Sequence, residues 1–164
     1  MYEDLKKAIN GPGNIVFFGG AGVSTESGIP DFRSENGINK AWSGYGRPPE
    51  ELISLPLFER EPEIFYDYYK NNLIHLAAKP NEAHLALARL EARGKLSAVV
   101  TQNIDGLHQK AGSKNVIEVH GSVLRNTCRG CGAPFGAEYI MDPENCDNRV
   151  GGQSLIGCPT SHTT

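Results

Sequence analysis

Four short strings in this chain combine residue types and spacing that point to chemistry. The first, Gly20-Ala21-Gly22-Val23-Ser24-Thr25-Glu26-Ser27-Gly28-Ile29-Pro30-Asp31-Phe32-Arg33, crowds glycines, hydroxyls and an arginine into one loop behind the apolar run Ile15-Val16-Phe17-Phe18. Missing side chains at Gly20 and Gly22 let backbone N–H groups approach a pyrophosphate, and a following helical turn adds its positive end, so the chemistry is that of a bound nucleotide. Such glycine clusters also serve as plain strand-to-helix turns; the Asp31-Phe32-Arg33 tail favours the nucleotide. The second string, Thr101-Gln102-Asn103-Ile104-Asp105-Gly106-Leu107-His108, and the third, Val119-His120-Gly121, place amides, a carboxylate and an imidazole at the ends of two further apolar runs. Imidazole, with an unperturbed pKa of about 6.5, suits proton transfer near neutral pH, although a strand-end histidine is also a structural hydrogen-bonding residue. Asp105 reads equally as a helix N-cap and Asn103 as a turn residue. The fourth string, Cys128-Arg129-Gly130-Cys131, is a half-site for tetrahedral zinc, or else a pair of reduced surface thiols.

Taken in this order, the strings resemble the sirtuins, the NAD-dependent protein-lysine deacylases, from about Leu5 to about Asp142, with the bacterial and archaeal branch nearest. The resemblance implies NAD and zinc as cofactors and acetylated lysine in protein substrates as the partner. It implies that Gly20, Ala21, Gly22, Thr25, Asp31, Phe32 and Arg33 line the NAD site, with Arg33 near the phosphates and Phe32 shielding the reacting ribose from returning nicotinamide. Gln102, Asn103, Ile104 and Asp105 would surround the ribose and nicotinamide, Asp105 bonding the carboxamide and Asn103 holding an ordered water. His120 would complete that site and act as general base on the ribose hydroxyls, so that the implied catalytic set is His120, Asn103 and Asp105. Nicotinamide, free lysine and O-acyl-ADP-ribose would be the products. Relatives that remove succinyl or malonyl groups carry a Tyr-x-x-Arg pair on the helix matching 62–77, which this chain lacks, so an acetyl or other uncharged short acyl group is expected. The implied zinc ligands are Cys128, Cys131, Cys146 and Cys158; Arg149 stands where a regular second Cys-x-x-Cys would have its last thiolate.

These groups work only if the chain's elements gather them. Leu5, Ala8 and Ile9 mark a helix over 3–10 that stops at Gly11-Pro12-Gly13, and a buried parallel strand over 15–18 follows. The polar, Gly- and Pro-rich segment 34–49 reads as a long loop, the one that closes over NAD in sirtuins. Ile64, Phe65, Tyr68 and Tyr69 mark a helix over 62–77, packed into the core by an aromatic stripe. Pro80-Asn81 opens another helix, with Ala83, Ala86, Leu87 and Leu90 on one face and Gly94 at its end. Strands are expected over 96–101 and 116–119. Alternating strands and helices predict an α/β fold: a Rossmann-like, doubly wound parallel sheet, represented by its N-terminal part, with the strings at the carboxyl ends of its strands and a small zinc-ribbon module appended. The expected division is 1–121 for the NAD-binding part with its cofactor loop and helical insertion, and 122–164 for an incomplete zinc-binding module and irregular tail. His84 and His108 are expected to pack or cap; His75 and His162 are given no role.

A length of 164 residues, 39% hydrophobic and 21% charged with net charge −3, fits one compact cytoplasmic chain rather than a disordered one. Lys and Arg are dispersed, which excludes a nucleic-acid footprint. No apolar run reaches membrane-spanning length, and the acidic start Met1-Tyr2-Glu3-Asp4 is unlike a signal peptide. Four cysteines in such a chain read as metal ligands rather than disulfides. Beyond about Pro143 periodicity lapses, and the segments by which sirtuins hold the adenosine half of NAD and the substrate peptide are not found. The expectation is therefore a truncated or frameshifted deacetylase, or alternatively a non-catalytic remnant binding zinc or nucleotide. Protein substrates and oligomeric state are not legible.

Overall fold

The computed structural model describes residues 2–12, 14–31, 42, 44–129 and 132–143. They fall into two compact units. One combines the described residues up to Asp31 with Ala77–Ser122; the other combines the described parts of 32–76 and 123–143. The segment given above as an insertion in the NAD-binding part therefore groups with the second unit.

In the first unit, helix α1 (Tyr2–Asn10) carries Glu3 and Asp4 in its first turn and Lys7 in its last, the arrangement its dipole favours. Strand β1 (Ile15–Gly19) pairs in parallel with β2 (Leu96–Thr101), Phe17 opposite Val99 and Gly19 opposite Thr101. Strand β3 (Val116–Glu118) pairs in parallel on the other side of β2. The order β1-β2-β3 never reverses, so among the described strands the sheet is parallel α/β without the second winding. Strand β1 was expected to be buried on both faces. Its side chains instead alternate, and Val16 and Phe18 are exposed among the described residues at 59% and 64%. Apolar residues at every position hide such alternation from a sequence reading.

The helix between β1 and β2 in this unit, α5 (Glu82–Ala92), is fixed at both ends. Asn81 Oδ1 accepts the Ala83 N–H at 2.9 Å, and Gly94, at φ +68°, turns the chain out in the left-handed conformation that glycine tolerates. Helix α6 (Leu107–Lys110) is a single turn after β2, packed against α5.

The second unit holds α2 (Pro49–Leu52), α3 (Leu55–Arg60) and α4 (Pro62–Tyr68), the last continuing as a π-helical turn over Tyr69–Leu73. The helix expected to reach 77 ends at Leu73. Asn72 explains the stop: its side-chain amide donates to the Tyr68 carbonyl at 3.1 Å, and Ile74 N–H reaches back five residues to Tyr69. Helices α2 and α3 were not anticipated. Most of the expected loop over 34–49 lies outside the described residues; its end is clasped by Tyr45 donating to Asp67 at 2.6 Å and Arg47 paired in bidentate fashion with Glu61. A hairpin of β4 (Asn126–Thr127) and β5 (Pro134–Phe135) leads to α7 (Ala137–Met141). Tyr69 donates to Asn126 at 3.2 Å, and Arg129 pairs with Glu59 while lying over the Phe58 ring, which ties hairpin to helices.

Candidate active site

The carboxyl ends of β1 and β2 are stitched together by the Gln102 N–H, which donates to the Gly19 carbonyl at 3.0 Å. Here glycine is a steric necessity at Gly19, where an added Cβ would come within 2.4 Å of the Phe17 ring. Gly20 and Gly22 differ: a Cβ at Gly20 meets only Gln102, at 3.9 Å, and at Gly22 nothing within 4 Å, so the loop backbone stands open. The chain then makes two 3-10 turns, Ala21–Val23 and Thr25–Ser27, closed by Gly28 at φ +81°. The first N–H groups of such a turn have no partner within it. Thr25 donates its hydroxyl to the Gly22 carbonyl at 3.0 Å, and Asp31 is half-buried at the loop's far end. Phe32 and Arg33 lie outside the described residues.

Ser24, which the sequence reading did not single out, is the junction of the site. It is 1% exposed. Its hydroxyl donates to Asp105 Oδ2 at 2.7 Å and accepts from Asn103 Nδ2 at 2.9 Å. With its one proton given to Asp105, the remaining lone pair faces His84 Nε2 at 3.5 Å, which fits a proton on that nitrogen. His84 Nδ1 then accepts the Asn81 backbone N–H at 3.3 Å, the reciprocal half of a capping box. Asn81 also donates to the Val23 carbonyl at 2.7 Å, so the cap of α5 grips the loop itself. Burial lowers the His84 pKa and the Asp105 carboxylate opposes that shift. A cap signature, Asn followed by His at the third helical position, was available in the sequence; that it would face Ser24 was not.

Asp105, expected as a helix N-cap, lies one residue ahead of the cap of α6, which is Gly106. Oδ1 accepts the Leu107 N–H at 2.9 Å, bracing α6, while Oδ2 takes the Ser24 hydroxyl. Asn103 is held as a turn residue by its own N–H to Thr101 Oγ1 at 3.0 Å. Ile104 is half-buried. His120, exposed just past β3, has Nδ1 3.1 Å from the Gln102 carbonyl. A carbonyl only accepts, so Nδ1 carries the proton and Nε2 presents a lone pair. The structure thus brings Gly20, Gln102, Asn103, Asp105 and His120 to adjoining strand ends.

In the other unit Cys128 is buried and free of any disulfide at the start of the β4–β5 turn, its N–H donating to Ala133 and its carbonyl accepting from Gly132. Cys131, Cys146 and Cys158 lie outside the described residues, and no cluster of three metal-binding side chains occurs among the described ones. Nor does any described helix have the length and apolarity to cross a membrane.

The chain is similar to known proteins in both sequence and fold. The Sir2 family model matches residues 20–158. The NAD-dependent protein deacetylase of Clostridium acetobutylicum is 54% identical over 142 residues, covering 87% of this chain and 58% of that protein. The protein of the same name from Clostridium perfringens is 59% identical over 138 residues, covering 84% and 57%. The chain thus spans less than two thirds of the length of these curated relatives. A solved Sir2 protein with a deacetylated p53 peptide and 3'-O-acetyl ADP ribose superposes with TM-score 0.77 at 40% identity, over 94% of this chain and 62% of that one. Another, with a p53 peptide and NAD+, gives 0.73 at 36% identity, over 95% and 62%.

Proposed function

Because the chain belongs to the Sir2 family, we propose that it carries the nicotinamide-side catalytic centre of an NAD-dependent protein-lysine deacetylase acting on acetylated lysine. The observation that carries the reading is His120, whose Nδ1–H is committed to the Gln102 carbonyl just past β2, which leaves Nε2 with a lone pair to take a proton. The lack of side chains at Gly20 and Gly22 fits a bound dinucleotide, since among the described residues little stands where a Cβ would project.

NAD supplies the ribose carbon from which nicotinamide leaves and the hydroxyl that takes up the acyl group. The chain's own residues do the rest. Gly20, Ala21, Gly22 and Thr25 bind, together with Asp31, Phe32 and Arg33. Gln102 and Ile104 line the pocket from the β2 side. Asp105 retains lone pairs beyond those given to Ser24 and Leu107 and accepts from a carboxamide; Asn103 keeps one further N–H and its oxygen for substrate or water. His120 Nε2 removes the hydroxyl proton, and the Gln102 carbonyl holds the ring steady while it does so.

In the same proposal Cys128 and Cys131, joined by Cys146 and Cys158, hold a structural zinc that pins the β4–β5 turn. The tight turn and buried thiol at Cys128 support it. The division near residue 121 separates cofactor chemistry from this ribbon, and the working compartment is the cytoplasm. The test uses the full protein carrying this chain, with NAD and an acetyl-lysine peptide. Nicotinamide and deacetylated peptide appear together, and His120→Tyr leaves less than about a tenth of the turnover, since a general base contributes about a hundredfold or more. Turnover retained above that level refutes the assignment.

A further inference from the structure

The reaction above leaves one buried histidine without a task. His108 is 1% exposed, and neither ring nitrogen has a hydrogen-bond partner among the described residues. An imidazole so placed loses hydration without a bond in return, so its polarity stabilises nothing. What it contributes is a ring. Its centroid lies 4.7 Å from that of His84 and 6.0 Å from that of Phe17, tilted against both. His84 in turn faces Ser24, and Ser24 bonds Asp105 and Asn103. The circuit closes through the backbone, because Asp105 Oδ1 accepts the Leu107 N–H at the start of the turn that carries His108.

We infer that His108 is a positioning residue: its ring, set between Phe17 and His84, holds the His84 imidazole against Ser24 and thereby fixes the Ser24, Asp105 and Asn103 cluster. The inference rests on reading that cluster as facing NAD. It makes shape, not nitrogen, the working property. Removing the ring opens a cavity beside His84 into which that imidazole can turn, taking Nε2 away from Ser24. Asp105 and Asn103 then lose the common partner that sets their spacing. Restoring an apolar side chain of similar bulk restores the support.

The experiment combines the 15N imidazole resonances of His84 with the KM for NAD, measured on the full folded protein. His108→Ala shifts the His84 resonances and raises KM about tenfold, within the range that small misplacements of binding groups produce. His108→Phe, or His108→Leu if phenylalanine overfills the site, returns KM to within about threefold of the unaltered protein and the His84 resonances to near their original positions, because swaps that keep volume are tolerated best. Leu96→Ala, a core truncation in β2 at a residue 3% exposed, lowers stability and moves neither readout. Unchanged His84 resonances in the alanine variant overturn the inference, as do phenylalanine and leucine variants as impaired as alanine. Should the protein show no NAD-dependent deacetylation, the resonances still decide the positioning role, so the two ideas fail separately.

Discussion

Acid should destabilise the first unit through His108. Burial, then the neighbouring His84, push the His108 pKa down from 6.5 to about 4, with Asp105 opposing. Between those values the unfolded chain binds a proton that the folded one refuses, so stability is full above about pH 6.5 and falls as pH drops toward 4. At 1.36 kcal/mol per pH unit the whole gap amounts to about 3 kcal/mol, and about 2 kcal/mol of it is lost by pH 5. That is a large part of the 5–15 kcal/mol typical of a domain, roughly. His84, whose pKa burial also lowers, adds in the same direction. Glu61, held below its ordinary 4.5 by hydrogen bonds from Arg47 and then Arg60, keeps its contribution until the pH falls to about that value and so does not enter a comparison of pH 7 with pH 5. Urea unfolding of the unaltered protein and of His108→Phe, each at pH 7 and pH 5, isolates the effect as a difference of differences. The phenylalanine variant should lose about 2 kcal/mol less on acidification. Equal losses in the two proteins would show that folding does not depress the His108 pKa, and would refute the reasoning.

Gly19→Ala should destabilise by about 1–3 kcal/mol, as overpacking does, because the new Cβ falls 2.4 Å from the Phe17 ring; thermal unfolding without a marked drop would contradict the close approach. Metal analysis of the purified protein should find about one zinc per chain, the complement of a single four-ligand site, lost when Cys128 and Cys131 are both replaced; an ion retained by that double variant would refute the ligand assignment.

What could be read of the fold was decided by local signals. Strand β2 has the expected bounds, and α1 and α5 lie within a residue or two of theirs, because an apolar run between turn residues, or a Pro-Asn start with a glycine stop, needs no tertiary information. Helices α2 and α3 carried signals too, Pro49 and Pro56 in their first turns and Ser54 accepting from the Leu57 N–H, but each is too short for periodicity to register. The π turn after α4 depends on one asparagine choosing a backbone carbonyl, a competition that composition does not reveal.

The site divides along the same line. The groups proposed to meet a ligand sit in strings whose residue types suggest the chemistry, and Gln102, Asn103, Asp105 and His120 do come to adjoining strand ends. Groups that hold those side chains in place announced less: Ser24 looked like one hydroxyl among several, and His84 and His108 were expected to pack or cap, as they do, without any sign of what they would face. Their roles arise from contacts between residues 24 and 84, 24 and 105, and 84 and 108, pairings that exist only once β1, α5 and α6 have assembled. Ser24 has a single proton, and the geometry sends it to Asp105, which obliges both Asn103 and His84 to act as donors toward the same oxygen. Three side chains from two segments are thereby constrained by one hydroxyl on a third. A substitution at Ser24 therefore disturbs groups far apart in sequence, whereas His120, oriented by the Gln102 carbonyl alone, can be changed without disturbing them.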